Sequence, residues 1–178
     1  MNLANIEDVI AVLDDMRSEN IIQKFAIGGA FAATLHNEPI STIDPDIFFL
    51  LAEKSDNLIL SLDAVYEYAG KHNFSFDHEF INIHGWLVQF VEASHNPLWI
   101  EAIEEAQSVM VGEKKIFVID KEHLAAMWIF AGRAKDYQKI AMFWEAGILD
   151  QEKLFDILER HNLLSKWNQQ KWRFIDGE

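Results

Sequence analysis

A short apolar run that ends in two glycines constrains the fold more than any other feature of this sequence. A buried strand is predicted at Phe25-Ala26-Ile27, a turn at Gly28-Gly29 and a helix at residues 30–36. A strand that turns into a helix in this way exposes free backbone N–H groups at the start of the helix. Such a turn favours phosphate binding, because glycine has no side chain to keep a phosphate at a distance.

The rest of the first two thirds of the chain mixes helical and strand patterns. A first helix is predicted to begin near Ile6, a second buried strand at Ile47–Leu51, and a helix at residues 57–71. Two β-type runs at residues 80–83 and 86–91 flank His84-Gly85 and predict a hairpin. A second, weaker hairpin is predicted for residues 109–111 and 116–118, on either side of Gly112.

From Asp120 onward the pattern is helical. Asp120 is predicted to cap a helix that reaches Ala131, a second helix is predicted at about residues 134–146, and Asp150 is predicted to cap a third. The sequence therefore predicts an α+β fold, with a mixed sheet flanked by helices in residues 1–119. Residues 120–178 are predicted to form a helical C-terminal extension packed on that core.

Two carboxylates follow the glycine turn. Asp44 and Asp46 lie two residues apart at the start of the strand predicted at Ile47–Leu51, so their side chains share one face. Two carboxylates on one face repel each other unless a cation lies between them, and Mg²⁺ favours one or two carboxylates together with substrate phosphates. A phosphate-binding turn beside such a pair is typical of metal-assisted phosphoryl or nucleotidyl transfer.

Taken together, these residues resemble the DNA-polymerase-beta-like nucleotidyltransferase superfamily. The resemblance rests on the apolar strand, Gly28-Gly29, a helix, and then Asp44-Pro45-Asp46 at the next strand. Thr42 before the acids and the stretch Arg133-Ala134-Lys135-Asp136 look like the small bacterial toxin–antitoxin and minimal nucleotidyltransferase branches. The resemblance implies a nucleotidyltransferase-like sheet in residues 1–119.

The resemblance also assigns roles to individual residues. It implies that Gly28 and Gly29 hold the triphosphate of a nucleotide, to which Thr42 and Lys135 also bind. Asp44 and Asp46 are implied to be the catalytic carboxylates and the ligands of Mg²⁺, with a nucleoside triphosphate as the substrate.

A third carboxylate is expected on the strand at residues 86–91, where the resemblance predicts the last metal ligand. That position falls on Gln89, which is neutral and a poor Mg²⁺ ligand. Glu92 lies three residues further on, on the opposite face of a regular strand, and replaces the missing acid only if the strand bulges or ends there.

Charge and composition restrict the partners. The formal net charge is −14, which repels nucleic acid and anionic membranes. The sequence has no cysteine, which excludes disulfides and thiolate chemistry, and its start lacks the features of a signal peptide. We expect a cytoplasmic protein with a nucleotide as its ligand and no membrane partner.

Two functions are consistent with these features. The first is a nucleotidyltransferase that passes NMP from an NTP to a protein hydroxyl or a small molecule. The second is a weakly active or inactive binding or regulatory module of the same fold, as part of a toxin–antitoxin pair with a protein partner. Gln89 favours the second function, because it leaves the acidic pair without a third carboxylate.

Overall fold

The computed structural model describes residues 6–35, 44–51 and 58–171 of the chain. Within these ranges the chain forms seven strands and eight helices. In chain order they are α1 (Ile6–Ser18), β1 (Ile22–Gly28), α2 (Gly29–Leu35), β2 (Asp46–Leu51), α3 (Leu58–Lys71), β3 (Ser75–Asp77), β4 (Phe80–Ile83), β5 (Trp86–Glu92), α4 (Pro97–Glu104), β6 (Gln107–Val111), β7 (Lys114–Val118), α5 (Lys121–Ala131), α6 (Ala134–Glu145), α7 (Gln151–Arg160) and α8 (Leu164–Gln170).

The strands form one mixed sheet in the order β3-β4-β5-β2-β1-β7-β6. At its centre β1 is antiparallel to β2 and parallel to β7, while β2 is parallel to β5. The two outer parts of the sheet are antiparallel. The prediction of an α+β fold with a mixed sheet and helices is therefore confirmed.

Both predicted hairpins are present. The β4–β5 turn contains His84 at φ 53° and Gly85 at φ 96°, so both central residues are left-handed, as a tight hairpin of this kind requires. The side chain of Asn82 accepts a hydrogen bond of 2.9 Å from the Gly85 N–H and fixes the turn. Gly112, at φ 59°, lies in the β6–β7 turn.

The strand register decides which side chains share a face. Asp46 on β2 lies opposite Gln89 on the parallel strand β5, so both side chains point to one face of the sheet. Phe48 is on the same face, and Trp99 of α4 meets it edge-on with ring centroids 5.7 Å apart. Glu92, three residues after Gln89, points to the other face.

The helices after Val118 begin and end at the predicted signals. The side chains of Asp120 and Asp150 each accept a hydrogen bond from the backbone N–H three residues further on, which caps α5 and α7. Gly132 and Gly147 take left-handed φ values of 67° and 64° after α5 and α6. Three of the predicted helices are thereby confirmed.

Helix α5 is central to this part of the molecule. It contacts α2, α4, α6, α7 and α8, and residues 122–129 are buried. In the described ranges, the chain contains no helix that combines the length and the apolar character needed to cross a membrane.

An ion-pair network ties α4, α5 and α7 together. Glu101 accepts hydrogen bonds from Arg160 at 2.5 Å and His161 at 2.8 Å, and lies 3.3 Å from Nε2 of the buried His123. The other ring nitrogen of His123 lies 3.0 Å from Asp120. Burial alone would raise the pKa of Glu101, but the hydrogen bonds from Arg160, His161 and His123 outweigh it and lower the pKa from 4.5 to about 2.

We expect the free energy of unfolding of Glu101→Gln to fall less steeply with decreasing pH than that of the wild type. A carboxyl whose pKa is lowered by folding stabilises the protein above its ordinary pKa, and this contribution is lost as the pH falls from about 4.5 towards 2. The full shift corresponds to about 1.4 kcal/mol per pKa unit, but solvent screens these partly exposed ion pairs, so the wild type should lose about 1–2 kcal/mol more than Glu101→Gln over this window. Urea unfolding at pH 2–7 measures the difference, with exposed Glu104→Gln on the same helix as the control. Parallel curves for wild type and Glu101→Gln would refute the assignment.

Candidate functional site

The strand start at Asp46 lies beside a cavity of about 260 Å³. Asp46 pairs with Gly28 of β1 on one side and with Gln89 of β5 on the other. Pro45 precedes the first residue of β2, and its carbonyl accepts a hydrogen bond of 3.1 Å from the Gln89 N–H. A proline at this position does not remove a donor from the interior of the strand. The cavity is lined by Gly29, Ala30, Asp44, Asp46, Phe48, Phe80, Gln89, Trp99, Leu124, Met127, Trp128, Ala131, Arg133, Lys135 and Lys139.

The two glycines are required for different reasons. Gly29 begins α2 at φ 62°, and a Cβ at this position would lie 1.7 Å from Oδ2 of Asp46. Because Gly29 has no side chain, the Asp46 carboxylate can occupy this space. A Cβ on Gly28 would lie 2.5 Å from the ring of Phe48, so Gly28 permits the packing of β2. Gly29 lines the cavity directly, whereas Gly28 supports its wall.

Three cations in and just before α6 also line the cavity. The left-handed Gly132 ends α5, and Arg133 stands at the N-cap position of α6 without a capping hydrogen bond from its side chain. Arg133, Lys135 and Lys139 all line the cavity. Lys135 and Lys139 are four residues apart and share one helix face. Two carboxylates and three cations therefore line one small cavity.

Asp136 holds two of these cations, Arg133 and Lys139, through charged contacts. It is fully buried and accepts two hydrogen bonds from Arg133, at 2.7 Å and 3.2 Å, in a bidentate pair. The Nζ atom of Lys139 lies 3.8 Å from the same carboxylate and 5.2 Å from the centroid of the Trp128 ring. Asp136 thus positions the positive side of the cavity.

The electrostatics of Asp46 and Lys139 reflect their shared burial. Burial raises the pKa of Asp46 above its ordinary value of 3.8, and Lys139 is the strongest of the cations that oppose this effect. Burial likewise lowers the pKa of Lys139, although the nearby Asp136 and Asp46 counteract it. Both groups are desolvated, so a ligand that brings opposite charge to either one gains more than it would in water.

Gln89 and Glu92 lie where the sequence places them. Gln89 faces the cavity next to Asp46, and Glu92 lies on the other face, where its Oε1 accepts a hydrogen bond of 2.6 Å from the Ser94 N–H. Glu92 is buried and not part of the cavity wall. The strand position next to Asp46 on β5 therefore carries a neutral amide and not a carboxylate.

The structure brings together most of the residues singled out in the sequence. Gly29, Asp44, Asp46, Gln89 and Lys135 all line the cavity, and Gly28 adjoins it. Thr42 lies outside the described residues. Sequence reasoning missed Lys139 and the aromatic wall formed by Phe48, Phe80, Trp99 and Trp128.

The donor set of this cavity fits a divalent cation. Asp44 and Asp46 offer carboxylate oxygens from one side, which are the ligands that Mg²⁺ favours, and they lie beside the glycine turn. Lys135 and Lys139 in the same cavity suit the phosphates that would complete the coordination of the ion. The aromatic wall offers flat apolar surface to a ring system.

Two other groups of side chains have metal-ligand character. In the described part of the chain they are Glu101, Glu105 and His123, and the exposed Asp15, Glu19 and His72. In the first group Arg160 and Lys153 already neutralise the carboxylates, at 2.5 Å from Glu101 and 3.9 Å from Glu105. We therefore assign this group to the ion-pair network.

Comparison with known proteins adds no assignment to this geometry. A scan against protein-family models found no match, and a search of curated proteins found none either. The residues of the cavity are therefore the only indication of function.

Proposed function

We propose that the protein binds a nucleoside triphosphate together with Mg²⁺ in this cavity and transfers its NMP group to an acceptor hydroxyl. One observation carries the proposal: Asp44 and Asp46 share a small cavity with Lys135, Lys139 and the Gly29 turn. The same arrangement supports the proposal of a nucleotidyltransferase-like fold. The net charge of −14 favours a protein hydroxyl or a small molecule over nucleic acid as the acceptor.

Each part of the cavity has a role in this reaction. Asp44 and Asp46 would hold Mg²⁺, which when bound supplies charge stabilisation at the phosphates. The phosphate oxygens would be bound by the three cations of the cavity wall, Lys135, Lys139 and Arg133. The acceptor oxygen would form a bond to the α-phosphorus as the bond to the β-phosphate breaks, so that pyrophosphate leaves and the hydroxyl proton passes to solvent.

A second function is favoured by Gln89. The amide lines the cavity at the position where a third carboxylate is expected, and it is neither a general base nor a good Mg²⁺ ligand. A site of this kind binds a nucleotide and turns it over slowly or not at all. The protein would then serve as a binding or regulatory module, including as one half of a toxin–antitoxin pair.

Calorimetric titration of ATP and GTP with Mg²⁺ tests the binding proposal. We expect saturable binding to the wild type and to Asp63→Ala, an exposed carboxylate on α3, and none to the Asp44→Ala/Asp46→Ala double variant. Incubation with α-labelled NTP and measurement of pyrophosphate release then separates transfer from binding alone. Absence of binding to the wild type at millimolar nucleotide would refute both functions.

A further inference from the structure

The number of carboxylates in the cavity limits the number of metal ions. Among the described residues of its wall, Asp44 and Asp46 are the only acidic side chains. Sites that hold two divalent cations about 4 Å apart need ligands to both ions, and each ion adds two positive charges. Gln89 is held directly opposite Asp46 by the strand register, so it occupies the place from which a further carboxylate would reach the pair.

Lys139 is placed to supply positive charge from within the protein. Its side chain is only 16% exposed, and its Nζ atom lies 3.8 Å from the fully buried Asp136 and 5.2 Å from the centroid of the Trp128 ring. It lines the same cavity as Asp44 and Asp46. Asp136 and Trp128 hold this ammonium near Asp46, whose charge acts on it across the cavity.

We propose that the site binds its nucleotide with one divalent cation instead of two, and that the ammonium group of Lys139 supplies the charge of the second. This inference rests on the proposed nucleotide binding and adds the number of metal ions to it. Asp44 and Asp46 would hold the cation, and the ammonium of Lys139, which lines the same cavity, would also contact the phosphates. Gln89 keeps the second metal ion out.

Counting bound Mn²⁺ tests the metal number. With saturating α,β-methylene-ATP, the electron paramagnetic resonance signal of free Mn²⁺ should report one bound ion per wild-type molecule and two for Gln89→Glu. Gln107→Glu, the same change on the exposed edge strand β6, should still bind one.

Two ions on the wild type, or one on a folded Gln89→Glu that binds the analogue, would overturn the inference. If Gln89→Glu does not fold, the wild-type count decides. No analogue binding to the wild type would overturn the proposed function, and this inference with it.

Replacement of Lys139 tests the second half of the inference. Lys139→Met keeps the aliphatic stem on Trp128 and should weaken binding of the Mn²⁺–analogue complex about ten- to a hundredfold. Lys115→Met is the matched control, because Lys115 also lies over an aromatic ring, Phe117 at 5.7 Å, but away from the cavity. In the Gln89→Glu background the loss should be smaller, since a second metal ion replaces the ammonium. An unchanged affinity in Lys139→Met, or an equal loss in both backgrounds, would contradict the role of Lys139.

Discussion

Asp46→Asn should abolish metal-dependent nucleotide binding and at the same time stabilise the metal-free protein at neutral pH. The loss of binding follows because asparagine removes a charged ligand from the metal site, and we expect the affinity for MgATP to fall by about a hundredfold or more. The gain in stability has a different cause, which is the burial of an ionised carboxylate.

The sign of the stability effect follows from the direction of the pKa shift. Burial raises the pKa of Asp46 above 3.8, so its contribution to folding is present below pH 3.8 and is lost as the pH rises through the raised value. At neutral pH the ionised group therefore costs stability, and asparagine, which does not ionise, avoids this cost.

Thermal unfolding from pH 4 to 8 in the presence of a chelator measures this effect. Asp46→Asn should unfold at a higher temperature than the wild type at pH 7–8, and the gap should narrow towards pH 4. Asp63→Asn, at an exposed position on α3, should show no such gap. A metal-free Asp46→Asn that is less stable than the wild type at pH 7 would contradict the account of Asp46.

Gly29→Ala should damage both the fold and the site. At φ 62° an alanine costs about 1–2 kcal/mol in backbone strain. Its Cβ would also displace the Asp46 carboxylate, which lies 1.7 Å from that position, at a further cost of about 1 kcal/mol for the distorted side chain. Nucleotide binding should be lost together with the placement of Asp46.

Gly147→Ala is the matched control for Gly29→Ala. Gly147 has nearly the same φ, 64°, but a Cβ there would meet nothing within 4 Å. Urea unfolding should show a loss of about 1–2 kcal/mol for Gly147→Ala with unchanged nucleotide binding, and a larger loss for Gly29→Ala. Equal losses, with binding retained in both variants, would mean that Gly29 does not make room for Asp46.

Local signals made much of the fold predictable. The helices α5 and α7 begin at aspartate caps, and the β4–β5 turn needs two left-handed residues, which His84-Gly85 supplies. Strand β3 was missed because it has only three residues, all of them exposed, which is too short for a periodic signal. Helix α4 was missed although Asn96 and Pro97 form a start signal, with the Asn96 side chain accepting from two backbone N–H groups.

The site was predictable on one side only. Asp44 and Asp46 are two residues apart at a strand start, which indicates a shared face, and Gly28-Gly29 follows an apolar run, which indicates a turn. The cationic wall depends on the left-handed Gly132 between α5 and α6, after which Arg133, Lys135 and Lys139 line the cavity. Lys139 could have been found from its position four residues after Lys135, but only tertiary structure shows that this helix face meets Asp46.

The central claim is that Asp44 and Asp46 hold a metal ion beside a nucleotide in this cavity. The most direct test is a crystal structure with Mn²⁺ and α,β-methylene-ATP, using the anomalous scattering of manganese to locate the ion. We predict one anomalous peak within coordination distance of both carboxylates, with phosphate oxygens near Lys135 and Lys139. A nucleotide bound elsewhere on the molecule, or a cavity without a manganese peak at saturating concentrations, would contradict the claim.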